Sequence, residues 1–280
     1  MAVNTLISVQ ALHSALDQTP RPIIIDCRFS LLDAHVGEQE YRASHITGAQ
    51  YAHLNQDLSG PVTPGQTGRH PLPDRSVLIK TIQKFGINNH QPVVAYDGGN
   101  GAYAARLWWL LRWLGHEEVF VLDGGFEAWQ RAGFASTTEI PAVIKGEFNG
   151  SQSLVQIIEA DAIVASQYTV TDARDPARFR GEVEPIDPIA GHIPGAKNLP
   201  FTDNMASTGT FKTSEALTTQ FLEAKLSETN PTICYCGSGV TACHNILALI
   251  HSGFPEPILY PGSWSEWVTN PQRPIATGLD

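Results

Sequence analysis

Residues 231–249 read PTICYCGSGVTACHNILAL, and residues 92–111 read PVVAYDGGNGAYAARLWWLL. Each stretch passes from an apolar run, through a turn of small residues, into a segment with helical spacing. They are copies of one another. RPIIIDCRF at 21–29 has its counterpart in YTVTDARD at 168–175, both closing an apolar run with Asp-x-Arg. SHITGAQYAHL at 44–54 matches GHIPGAKNLPF at 191–201, and LDGGFEAWQRAG at 122–133 is echoed by LYPGSWSEWVTN at 259–270. Blocks recurring in one order at a spacing of about 140 residues describe duplicated domains, since a solenoid needs shorter units.

Within each copy, IIID, VVAYD and VFVLD, then TVTD, TICYC and PILYP, read as buried strands. Between them AYAARLWWLLRWLG and SEALTTQFLEAKL carry apolar residues at helical spacing. The alternation predicts an α/β fold twice over, each copy a mainly parallel sheet flanked by helices. The expected division is a first domain over 1–138, a polar linker over 139–155 and a second domain over 156–280. Ligands in such folds bind at the carboxyl ends of the strands, where Cys236 and its repeat partner Asp97 fall.

The bulk composition excludes several classes. A chain of 280 residues that is 42% hydrophobic can bury a sizeable core, and a formal net charge of −10 argues against a nucleic-acid or membrane-surface binder. The 4 cysteines, Cys27, Cys234, Cys236 and Cys243, are too few for a disulfide scaffold. Residues 1–20 contain no Lys or Arg, so no secretory leader is expected, and no apolar run approaches a membrane span. A cytoplasmic protein is the expectation.

Cys236 is chemically distinct from the other three. In the loop Gly237, Ser238, Gly239, Val240 and Thr241, the glycines leave backbone N–H groups open to the sulfur and the hydroxyls add donors. The helix that follows contributes partial positive charge at its N-terminus. Such a nest can hold a thiolate, the reactive form of cysteine, or a negatively charged sulfur attached to it. Cys234 within the strand and Cys243 in the helix read as packing residues. C-x-C-x6-C-H does not have the paired C-x-x-C spacing of a structural zinc site. The glycines of AYDGGNGAYAAR lack both a P-loop lysine and a dinucleotide fingerprint. No metal, nucleotide or flavin cofactor is expected.

Asp-x-Arg, His-Ile-x-Gly-Ala, the Cys-Gly-Ser-Gly-Val-Thr-Ala loop and a late Gly-x-x-x-Trp in a duplicated α/β unit resemble the tandem-domain rhodanese family, over about residues 5–275. The resemblance implies a sulfurtransferase whose second domain carries the active cysteine as a persulfide. The first is inactive, here with Asp97 in place of the nucleophile. CGSGVTA is similar to the 3-mercaptopyruvate-using branch, with thiosulfate the near alternative donor. Arg178 matches the family's substrate-binding arginine, while position 187, where a second arginine is usual, is Asp. Arg180 is the candidate substitute cation. His70, with Asp57 nearby in sequence, matches a loop that could handle a proton.

Asp172, Arg174, His45, His192, Trp129 and Trp267 lie in motifs common to both copies, so they read as structural. The expected partners are a small anionic sulfur donor and a cyanide or thiol acceptor, a protein thiol included. A sulfur-carrier module remains an alternative. A cysteine-dependent phosphatase would need arginine at position 242, which is Ala.

Overall fold

The computed structural model describes Val3 and residues 5–279. The chain divides into two compact units that are not simply its two halves. The first comprises Met1–Gly60, Pro73–Leu154 and Ala206–Phe211; the second comprises Pro61–Leu72, Val155–Met205 and Lys212–Asp280. Residues 61–72 therefore leave the first copy in sequence and fold with the second.

Each unit is built on a five-stranded sheet. In the first, the strands run in the order Leu6–Ile7, Val119–Leu122, Val93–Tyr96, Ile23–Asp26, Gln50–Tyr51. In the second, the order is Gln156–Ile157, Ile258–Leu259, Ile233–Tyr235, Val170–Asp172, Lys197–Asn198. The two orders are the same topology, and every pairing within both sheets is parallel. The central strands are fully buried and read as unbroken apolar runs because helices cover a parallel sheet on both faces. A separate antiparallel pair, His45–Ile46 with Ser136–Thr137, belongs to the first unit.

The helix Ala102–Trp113 buries residues on nearly every side, including Trp108 and Trp109. Its counterpart Thr241–His251 does the same with Ile246, Leu247 and Leu249. Both enter directly from the carboxyl end of a central strand. The outer helices Arg75–Lys84 and Ser214–Glu223 are capped by Asp74 and Thr213, whose side chains accept backbone N–H groups of the first turn.

The shared motifs make matching contacts. Arg28 and Arg174 each fork onto the aspartate two residues earlier, at 2.6 Å and 2.7 Å, and each donates to a distant backbone carbonyl, of Ser44 and Gly191 respectively. The two guanidiniums lie over Phe126 and Trp264, at 4.4 Å and 4.7 Å from the ring centroids. His45 and His192 stack on Tyr41 and Phe179 and hydrogen-bond the carbonyls of those residues at 2.7 Å. Trp129 and Trp267 donate their indole N–H to Ala135 and Pro274. Among the described residues, no helix is long and apolar enough to cross a membrane, and no cluster of His, Cys, Asp and Glu could hold a metal.

Candidate active site

The strand Ile233–Tyr235 stops at Cys236, and the helix Thr241–His251 starts five residues later. Cys236 is 2% exposed, and its sulfur accepts the N–H groups of Ser238 and Gly239 at 3.4 Å and 3.1 Å. The loop can turn this tightly because Gly239 takes a φ of +77°, and a β-carbon there would strike the Pro261 carbonyl oxygen. Replacing Gly239 with alanine is therefore expected to cost roughly 1–3 kcal/mol of stability and most of the activity. Denaturant unfolding and turnover on the same preparation check this.

The loop is held from the other side by the turn at 260–265. The carbonyls of Cys236 and Gly237 accept the N–H groups of Trp264 and Ser265, each at 2.9 Å. Ser263 Oγ accepts the Cys236 N–H at 3.1 Å and donates to the Tyr260 carbonyl. Ser263 adopts a φ of 55°, a left-handed conformation costly for a residue with a β-carbon. The first copy carries Gly125 at the matching place. A hydroxyl that braces the Cys236 backbone accounts for tolerating that cost.

The first copy shows what such a loop can hold. Asp97 accepts the N–H groups of Gly99 and Gly101 on one carboxylate oxygen, and those of Tyr103 and Ala104 on the other, at 2.9–3.2 Å. Burial raises its carboxyl above the usual carboxylate range, and these donors offset only part of that rise. Its nest is filled by its own side chain. In the second copy the side chain at that place is a single sulfur atom.

Arg178, on the short helix Pro176–Phe179, and Arg69, on the 61–72 segment of the same unit, converge on the loop. A β-carbon at Gly237 would stand 2.8 Å from Arg69 Nη2, and 3.6 Å and 3.7 Å from the terminal nitrogens of Arg178. Burial lowers the Arg69 guanidinium, and the sulfur of Cys236 is the largest influence holding it up. The far edges of both arginines are tied down. Arg178 donates to Glu184 at 2.6 Å and 3.1 Å and to Asp187 at 3.2 Å, and Arg69 pairs with the other oxygen of Asp187. Arg69 is further anchored by its own N–H on Ser265 Oγ.

His70, 6% exposed, places Nδ1 2.8 Å from Ser238 Oγ. Of the loop residues, Val240 is buried and directly precedes the helix that Thr241 begins. Arg180 forks onto Glu182 instead of joining Arg178 at the loop. Asp57 lies in the first unit, where it accepts the His53 N–H. Burial pushes the Cys234 thiol up to about 12, leaving it protonated at neutral pH, and Thr171 donates to its sulfur. Cys243 donates to the Gly239 carbonyl.

Arg69, Ser263 and Ser265 escape the sequence reading. Arg69 stands in TGRHPLPD, in the first copy, where only the neighbouring His70 attracts notice. Ser263 could have been found, because the pair Gly124-Gly125 of the first copy becomes Gly262-Ser263 in the second.

The Rhodanese-like domain model matches residues 8–132 and 152–270. A probable 3-mercaptopyruvate sulfurtransferase of Pseudomonas aeruginosa is 48% identical, over 99% of this chain and 100% of its own length. A putative thiosulfate sulfurtransferase of Mycobacterium tuberculosis is 38% identical, over 91% of this chain and 90% of its own. The solved 3-mercaptopyruvate sulfurtransferase of Leishmania major superposes with a TM-score of 0.86 at 31% identity, covering 97% of this chain and 76% of that one. With two copies of one sheet topology, the matched domain pair and relatives spanning nearly its whole length, this chain belongs to the rhodanese family.

Proposed function

We propose that this chain is a sulfurtransferase that moves sulfane sulfur from 3-mercaptopyruvate to a thiophilic acceptor, cyanide or a thiol, through a persulfide on Cys236. The observation that carries this is the position of the Cys236 sulfur. It sits on two backbone N–H groups at the start of a helix, beside the loop face on which Arg69 and Arg178 converge. Backbone donors can hold a negatively charged sulfur, and the guanidiniums suit the donor's carboxylate.

Cys236 thiolate attacks the sulfur of the donor. The carbon–sulfur bond breaks, its electrons leave as pyruvate enolate, and the enolate takes up a proton. Ser238 Oγ, in contact with His70, is the proposed proton path. The outer sulfur of the persulfide is then attacked by the acceptor, the sulfur–sulfur bond breaks and the thiolate returns. Arg178 binds the donor, and the neutral side chains of Ser238, Val240 and Thr241 favour a carboxylate-bearing thiol over a more highly charged donor. The second copy, 156–280, is the catalytic domain; the first, 1–138, is non-catalytic because a carboxylate at Asp97 cannot accept sulfur; residues 139–155 join them. The cytoplasm as setting, and a small-molecule or protein thiol as acceptor, belong to the same reading.

The test is thiocyanate formation from cyanide with 3-mercaptopyruvate and with thiosulfate side by side. A preference for mercaptopyruvate with parallel lines in the two-substrate plot is expected, as a double displacement requires. Intersecting lines would exclude the persulfide route. A preference for thiosulfate would overturn the donor assignment alone.

A further inference from the structure

Position 187 carries the opposite charge from the cation expected there, yet Asp187 is built into the site. It is 7% exposed and gives one carboxylate oxygen to Arg69 and the other to Arg178. Its partners are thus one residue from the 61–72 segment and one from the helix Pro176–Phe179. Glu184 takes the remaining side of Arg178 and also pairs with Arg174. Arg69 Nη2 and Arg178 Nη1 are left without a hydrogen bond among the described residues, and both lie against Gly237, next to the nucleophile.

The charges in this cluster balance. The guanidiniums of Arg69, Arg174 and Arg178 are met by the carboxylates of Asp172, Glu184 and Asp187. A guanidinium edge can still bind an anion by hydrogen bonds when the opposite edge is neutralised, so a carboxylate fits. A second negative charge on the same donor has no surplus positive charge to meet it, and it feels the nearby carboxylates at low effective dielectric.

We propose that Asp187 is a positioning residue that selects the donor by charge. It brackets Arg69 and Arg178 so that their open edges face the loop together, and it cancels enough of their charge to favour a singly charged carboxylate donor over a doubly charged one. This rests on the persulfide chemistry proposed above, and not on which donor the native chain prefers.

The experiment compares Asp187→Asn and Asp187→Glu with the native chain, measuring kcat/KM for 3-mercaptopyruvate and for thiosulfate with cyanide as acceptor. The asparagine variant keeps the shape and removes the charge, so the ratio of mercaptopyruvate to thiosulfate is expected to fall by about tenfold. The glutamate variant keeps the charge and is expected to hold the ratio within about twofold. A ratio from one preparation does not depend on how much of a variant folds, so partial misfolding leaves the result readable. Both donors falling together in Asp187→Asn, or a ratio that rises, would overturn the proposal. A native chain that prefers thiosulfate would count against the donor assignment above, while the direction of the shift would still decide the role of Asp187.

Discussion

Cys236→Ser is expected to lower thiocyanate formation by at least about a thousandfold with either donor. The loss is chemical and not steric. The sulfur occupies a 2%-exposed position on the Ser238 and Gly239 N–H groups, and a hydroxyl fits the same space. A serine hydroxyl is far too weak an acid for those donors to ionise, and it cannot carry a transferable sulfur. Cys234 and Cys243 do not substitute: the first is buried with its thiol raised to about 12, and the second is committed to the Gly239 carbonyl. Intact-mass measurement after incubation with donor gives the direct check. The native chain should gain one sulfur atom and lose it on adding cyanide, and the serine variant should gain none. Full activity in the variant would end the mechanism.

Asp172→Ala is expected to be the most destabilising change, at about 3–5 kcal/mol. Asp172 is fully buried and receives three hydrogen bonds from the Arg174 side chain, which is itself 1% exposed. Removing the carboxylate leaves the buried Arg174 guanidinium with only the single contact to Glu184 at 3.3 Å as an ion pair among the described residues, and a buried charge deprived of its main partner costs far more than a lost surface contact. Arg174 also ties Gly191 and lies over Trp264, so the loss spreads to the turn that braces Cys236. Urea unfolding should show an earlier transition in the variant, and Asp26→Ala, which breaks the matching pair, should act similarly. The exposed Arg180–Glu182 pair is the control, since its removal should leave the midpoint in place. A stable Asp172→Ala chain would show that the duplicated Asp-x-Arg motif does not hold the fold together.

Much of the architecture could be read without coordinates because a parallel sheet covered on both faces makes its central strands continuous apolar runs. Ile23–Asp26, Val93–Tyr96, Val119–Leu122, Val170–Asp172, Ile233–Tyr235 and Ile258–Leu259 all fall in runs read as strands. The edge strands Leu6–Ile7, Gln50–Tyr51, Gln156–Ile157 and Lys197–Asn198 escaped because two residues carry no period. Internal duplication supplied the other half of the reading. A residue shared by both copies, such as Arg174 or His192, belongs to the fold, while a residue that differs, Cys236 against Asp97, points to chemistry.

The α/β class, the doubling of the unit and the glycine turn around Cys236 are legible in the residues alone, because these depend on local period, spacing and repetition. Which cations approach that turn is set by the fold. Arg69 is more than 160 residues away in sequence and reaches Gly237 because the 61–72 segment folds with the second unit. Arg180, two residues from Arg178, is drawn off by Glu182. Asp187 becomes part of the site for the same reason. Side-chain charge is written in the sequence, but the partner that claims each charge is set by which segments the folded chain brings within hydrogen-bond reach.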